Sequence, residues 1–160
     1  MFNIENAFIE IIADVLVVPV VLMGAWAILI VPKTVRYQVM ARALMTGMTA
    51  LFIAKIISLL YQGERPFVAL GTLPKAAYLN NPGFPSDHAL LVFTVTIVVW
   101  ASTKNVKLSV WLLVLSCLVA LGRILALVHT PADVAGGLFC AVTAGLLLYG
   151  KNLFTKRTMF

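Results

Sequence analysis

The chain has two histidines, and each stands among residues suited to binding phosphate. His88 closes the run Pro85-Ser86-Asp87-His88. Five residues separate His129 from Gly122-Arg123, and three separate it from Asp133. A third segment, Arg65-Pro66-Phe67, lies upstream. Arg65 and Arg123 offer planar, permanently charged forks that match phosphate oxygens, and Ser86 adds a hydroxyl donor. The Asp133 carboxylate, one helical turn from His129, can fix the imidazole tautomer and leave the other ring nitrogen free to attack. His88 has no such partner in the sequence and suits general-acid work on a leaving oxygen. Together these make a set for phosphoryl transfer through a phosphohistidine, with arginines stabilising the equatorial charge.

The elements that must position these groups follow from composition. The chain has 160 residues, of which 62% are hydrophobic and 11% charged. Its mean hydropathy is +1.03. Soluble domains are nearer half apolar and a quarter charged, so the reading is one all-α domain, 1–160, a polytopic membrane helix bundle. A spanning helix needs about 20 apolar residues. Five segments supply them, at about 7–31, 37–60, 86–103, 108–128 and 131–153. The Pro-, Gly- and Asn-rich stretch 62–87 reads as a loop. Pro19 predicts a kink in the first helix. Ser86 is placed to cap the third helix. Thr130, Pro131 and Asp133 are placed to open the fifth with a capping box. Helix starts present free N–H groups and a positive dipole end, which favours anions.

Counting five spans puts the N-terminus, the 62–87 loop and the 128–131 turn on one face. The other face collects Lys33, Arg36, Lys104, Lys107, Lys151, Lys156 and Arg157, with Arg42 close by. The positive-inside rule places that basic face in the cytoplasm of a plasma-membrane protein and turns the three motifs outward. The net charge of +6 therefore marks topology rather than nucleic-acid binding. Lys75 reads as solvated. Glu10 and Asp14 are expected at the outer interface near the headgroups. Cys117 and Cys140 read as small buried hydrophobes. Gly136, Gly137, Ala141, Ala144 and Gly145 read as close helix packing. The N-terminus lacks the basic region and cleavage site of a signal peptide, so no removal is expected.

These residues resemble the PAP2 (type 2 phosphatidic acid phosphatase) superfamily. Its pattern is Lys, six residues, Arg-Pro; then Pro-Ser-Gly-His; then Ser-Arg, five residues, His, three residues, Asp. Arg123, His129 and Asp133 meet the third motif, with Gly122 in place of Ser. Pro85, Ser86 and His88 meet the second, with Asp87 in place of Gly. Arg65-Pro66 meets the first, but the Lys position holds Ser58, and the nearest lysine is Lys55, almost one helical turn earlier. The resemblance covers residues from about 55 to 150. It implies a PAP2/chloroperoxidase-like helical core with one peripheral helix fewer than the usual six. It also implies a phosphatase that needs no metal or other cofactor. His129 would be the nucleophile, Asp133 its partner and His88 the acid. Arg65, Arg123 and Ser86 would hold phosphate, and Asp87 and Lys55 are counted with them as phosphate-binding. The variants around Phe84–His88 look like the bacterial undecaprenyl-diphosphate phosphatase branch. A phosphatidic acid or phosphatidylglycerophosphate phosphatase is the main alternative. A phosphate transporter without turnover would need polar residues across the core, where Thr94, Thr96 and Thr143 are the main ones. A zinc site lacks ligands at the usual spacing.

Overall fold

The computed structural model describes residues 4–61, 63–78, 83–103 and 105–154. The described residues form helices joined by turns and one long loop, with no strand. Helix α1 is Ile4–Leu29 and α2 is Lys33–Leu60. A single turn, α3, is Pro66–Ala69, followed by α4, Asp87–Ser102. Helix α5 is Val106–Leu125 and α6 is Pro131–Phe154. Helix α4 is the axis. The others surround it in the order α5, α1, α2, α6, and the most extensive contact is between α4 and α6.

Four helices, α1, α2, α5 and α6, are long and apolar enough to cross a membrane. The fifth expected span, α4, has only 16 residues, roughly 24 Å against a hydrocarbon core of about 30 Å. Protein surrounds it, so it does not need the length of a lipid-facing helix. The large apolar side chains of the outer helices, such as Phe52, Leu44 and Leu59 on α2, point away from the protein. The core lies between α4 and its neighbours, built from Val92, Phe93, Val99, Leu112, Val119 and Ala141, with Val20 and Ala27 from α1.

Hydroxyls reinforce the central contact. Thr96 Oγ1 and Ser116 Oγ lie 2.9 Å apart across α4 and α5, and Ser116 also donates to the Val92 carbonyl at 3.1 Å. Such interhelical bonds help where helix faces have no water to escape. The expected small-residue packing is present. Ala141 and Ala144 are fully buried. At Gly137 a Cβ would stand 2.7 Å from the Ser86 carbonyl oxygen and 2.9 Å from the Leu90 nitrogen. Only glycine lets α6 approach the start of α4 so closely.

The irregularity in α1 comes before Pro19. A π-helical segment, Ile11–Val15, widens the helix, and Leu16 N–H donates to the Ile11 carbonyl at 3.0 Å. The ring of Pro19 would crowd the carbonyl four residues earlier, that of Val15, which closes the widened segment. Asp14 lies within it.

Helix ends follow the cap residues. Asn105 caps α5, its Oδ1 accepting from Leu108 N–H at 3.0 Å, so the 104–107 turn is shorter than expected. Helix α5 stops at Leu125, three residues before the expected 128, because Leu127 takes a left-handed φ of 62°. The freed carbonyls of the 126–128 turn are taken by the long loop. Lys75 N–H donates to Ala126, Phe67 N–H to Leu127 and Arg65 Nη1 to Val128, at 3.1, 3.0 and 2.8 Å. Lys104, Lys156 and Arg157, counted above for the basic face, lie outside the described residues.

Candidate active site

The side chains of the second and third motifs are delivered by helix ends, while Lys55 lies within α2. Ser86 caps α4 as expected, its fully buried hydroxyl oxygen facing Ala89 N–H at 3.5 Å. That contact uses a lone pair and leaves the hydroxyl proton for donation. Thr130 and Asp133 form the reciprocal box that opens α6. Thr130 N–H donates to Asp133 Oδ2 at 2.6 Å, and Asp133 N–H donates to Thr130 Oγ1 at 3.1 Å. The two helix starts are joined by Ser86 N–H donating to the Asp133 carbonyl at 2.9 Å. His88 and Asp133 are thereby fixed to one end of the bundle.

The structure brings together the two histidines, the two arginines and Asp133. His88 lies within electrostatic reach of Arg123, His129 and Asp87, and Arg123 within that of Arg65 and Asp87. Arg123, His129 and Asp133 are almost fully buried. His129 Nδ1 faces Asp133 Oδ2 at 3.7 Å and has no hydrogen-bond partner among the described residues. That spacing is an ion-pair distance, longer than a hydrogen bond. The same carboxylate oxygen is engaged in the helix cap, and catalytic hydrogen bonds commonly tighten only when substrate is bound. With Nδ1 turned to Asp133, Nε2 is the nitrogen left for chemistry.

Arg65 lies before α3. Its guanidinium reaches the Val128 carbonyl and stands 5.6 Å over the Tyr78 ring. Burial lowers its pKa, and the negative charges of Asp133 and Asp87 act against that shift. Gly83 backs the pair. A Cβ there would meet Arg65 Cγ at 3.2 Å and Asp133 Oδ2 at 3.6 Å. Lys55 and Asp87 sit to one side. Both line a cleft of about 130 Å³ with Ser58, Phe84 and Pro85. The displaced lysine and the family position, Ser58, therefore face the same space.

One participant was not expected. Asp14, assigned from sequence to the headgroup region, turns inward. Its Oδ1 pairs with Arg123 Nη1 and lies 3.7 Å from His88 Nε2. Its Oδ2 accepts from Ala77 N–H at 2.7 Å. Arg123 Nη2 donates to the Ala77 carbonyl at 2.8 Å, while its Nε has no hydrogen-bond partner among the described residues. A carboxylate inside an apolar helix is costly unless it meets a cation. That cost was the signal available in the sequence that Asp14 needs a cation; the one it meets, Arg123, is the more deeply buried of the two. Among the described residues, no three His, Cys, Asp or Glu side chains are placed to hold a metal.

Comparison with known proteins gives the family. The chain is 32% identical over 104 residues, 65% of its length, to "Undecaprenyl-diphosphatase BcrC" of Bacillus subtilis (strain 168), covering 53% of that protein. It is 31% identical over 109 residues, 67% of its length, to "Bacitracin transport permease protein BcrC" of Bacillus licheniformis, covering 52% of it. The chain thus spans about half the length of these curated relatives. No solved structure matches it. The family model of the PAP2 superfamily matches residues 38–156, which take in every motif residue from Lys55 to Asp133. With both histidines and both arginines gathered at one end of an all-α membrane bundle, the chain belongs to the PAP2 superfamily.

Proposed function

We propose that this protein is a membrane lipid phosphatase that converts undecaprenyl diphosphate to undecaprenyl phosphate through a phosphohistidine on His129. The observation that carries the reading is the placement of two histidines around two buried arginines, one histidine backed by a carboxylate. The Bacillus subtilis relative, named an undecaprenyl-diphosphatase, supports the substrate. His129 Nε2 attacks the terminal phosphorus as the bond to the bridging oxygen breaks. His88 gives its proton to that oxygen, and the lipid monophosphate leaves. Water then attacks the phosphohistidine, His88 takes back a proton, and the P–N bond breaks to release inorganic phosphate. Arg65, Arg123 with its open Nε, and the Ser86 hydroxyl receive the equatorial oxygens. Asp133 supports the imidazolium of His129. Lys55 and Asp87 line a cleft to one side of these groups.

The Bacillus licheniformis relative bears a transport name. A route for ions below the site would have to use Thr94, Thr96, Ser109 and Ser116, the buried polar side chains of α4 and α5 there. Thr96 and Ser116 are bonded to each other and to backbone. Hydrolysis accounts for the histidines, and passive transport does not.

The test is phosphate release by the purified protein in detergent with chelator present. Undecaprenyl diphosphate should be hydrolysed in preference to phosphatidic acid. Preference for phosphatidic acid would transfer the reading to phospholipid phosphatases. Loss of all turnover in chelator, restored by zinc or magnesium, would sink the metal-free mechanism.

A further inference from the structure

We propose that Asp14 is a positioning residue of this active site, clamping Arg123 and standing between that cation and His88. The proposal rests on the phosphatase reading above and adds a residue from outside the three motifs. Three contacts close a ring. Asp14 Oδ1 holds Arg123 Nη1, Arg123 Nη2 holds the Ala77 carbonyl, and Ala77 N–H holds Asp14 Oδ2. The ring uses both terminal nitrogens of the guanidinium. It leaves Nε, buried and without a hydrogen-bond partner among the described residues, as the donor for a phosphate oxygen. Arg123 therefore meets the substrate through one fixed edge.

The second function concerns charge. His88 Nε2 is 3.7 Å from the Asp14 oxygen that pairs with Arg123. An acid must carry its proton while it waits beside the leaving oxygen. Next to Arg123 alone, a protonated imidazole would face a permanent cation, and like charges at such range disfavour one another. A carboxylate oxygen between the two offsets that repulsion. Asp14 would thus serve His88 as Asp133 serves His129.

The sequence carries a mark of this arrangement at Gly122. A Cβ there would stand 2.8 Å from the Ala13 nitrogen and 2.9 Å from its Cα. The backbone of the π-helical segment rests directly on α5 at the residue before Arg123, and Asp14 follows Ala13. The family pattern has Ser at this position. Gly in its place is what lets the backbone next to Asp14 lie against α5 here.

The experiment uses the full chain in detergent as wild type, Asp14→Asn and Gly122→Ser. Two phosphate monoesters differ only in what their leaving group needs. The p-nitrophenolate of p-nitrophenyl phosphate departs without a proton, whereas the alkoxide of a simple alkyl phosphate requires one. Asp14→Asn should lower kcat on the alkyl phosphate by about 100-fold and on p-nitrophenyl phosphate by less than about 10-fold, the range of a lost general-acid contribution. Gly122→Ser, which displaces α1 with Asp14 intact, should show the same split, and the double variant should lose little more than the worse single one. If Asp14→Asn does not fold, Gly122→Ser carries the test alone. Equal losses on both esters would overturn the proposal and leave the phosphatase reading standing. A wild-type protein that hydrolyses neither ester nor a lipid phosphate would overturn both.

Discussion

His129 and Asp133 should separate under mutation. His129→Ala removes the nucleophile and should abolish turnover. Asp133→Asn keeps the shape and one acceptor for the α6 cap, but loses the charge facing His129 Nδ1 at 3.7 Å. Its kcat should fall by about 10³- to 10⁴-fold with residual activity, as when a triad carboxylate is replaced by its amide. Steady-state phosphate release checks both, and full activity in His129→Ala would end the phosphohistidine mechanism. A milder loss belongs to Lys55, which lies in the flanking cleft with Asp87. Lys55→Ala should cost less than about 10-fold, while Arg123→Ala, which empties a buried ion pair and a phosphate contact, should cost 100-fold or more. Equal damage from the two would show that the displaced lysine has taken the family role. The motif residues were legible because polar side chains at fixed spacing stand out in a greasy chain. Asp14 showed only the cost of a carboxylate in an apolar helix, and its partner was not legible, because it lies 109 positions away and no local pattern connects them.

At the scale of the element, two glycines have opposite expectations. Gly137 lies where a Cβ would press on backbone atoms of Ser86 and Leu90. Gly137→Ala should force α6 from the start of α4, cost about 1–3 kcal/mol, and reduce activity by moving His88. At Gly47, in α2, a Cβ would meet nothing within 4 Å. Gly47→Ala should raise stability by roughly 0.5–1 kcal/mol, the usual gain in a helix interior. Thermal unfolding in one detergent compares them, and a Gly137→Ala variant as stable as wild type would contradict the packing argument. The caps at Ser86 and Thr130 were readable because they depend on side chains within four residues. The early end of α5 was not. It depends on carbonyls that a distant loop satisfies, and hydropathy continues without change through Leu127 and Val128.

For the whole molecule, composition revealed a membrane bundle because lipid demands apolar helices, and four of the five expected spans have the necessary length. It could not reveal that the remaining helix, α4, is the axis, since burial by protein and burial by lipid select the same side chains. Sidedness is the prediction at this scale. Lys33 and Arg36 at the start of α2, with Lys107 at the start of α5, should hold their end in the cytoplasm and turn the active site outward. Single cysteines at positions 75 and 156, in a background without Cys117 and Cys140, can be labelled in intact cells with an impermeant thiol reagent. Labelling at 75 alone is expected. Labelling at 156 alone would place the substrate pool in the inner leaflet.

The three bonds between the 65–75 stretch and the carbonyls of residues 126–128 have a consequence in time as well as space. A loop that swung open each turnover would have to break all three together, and its amides would trade hydrogen with water at the rate of an open segment. The stitched loop should instead behave as part of the bundle. The amides of Phe67 and Lys75, although outside any long helix, should exchange as slowly as helical ones. Hydrogen-exchange mass spectrometry on the peptide spanning them measures this directly. Slow exchange there would mean that substrate reaches His129 past a fixed rim, so that the pace of catalysis is set by chemistry or by lipid release and not by the motion of a lid.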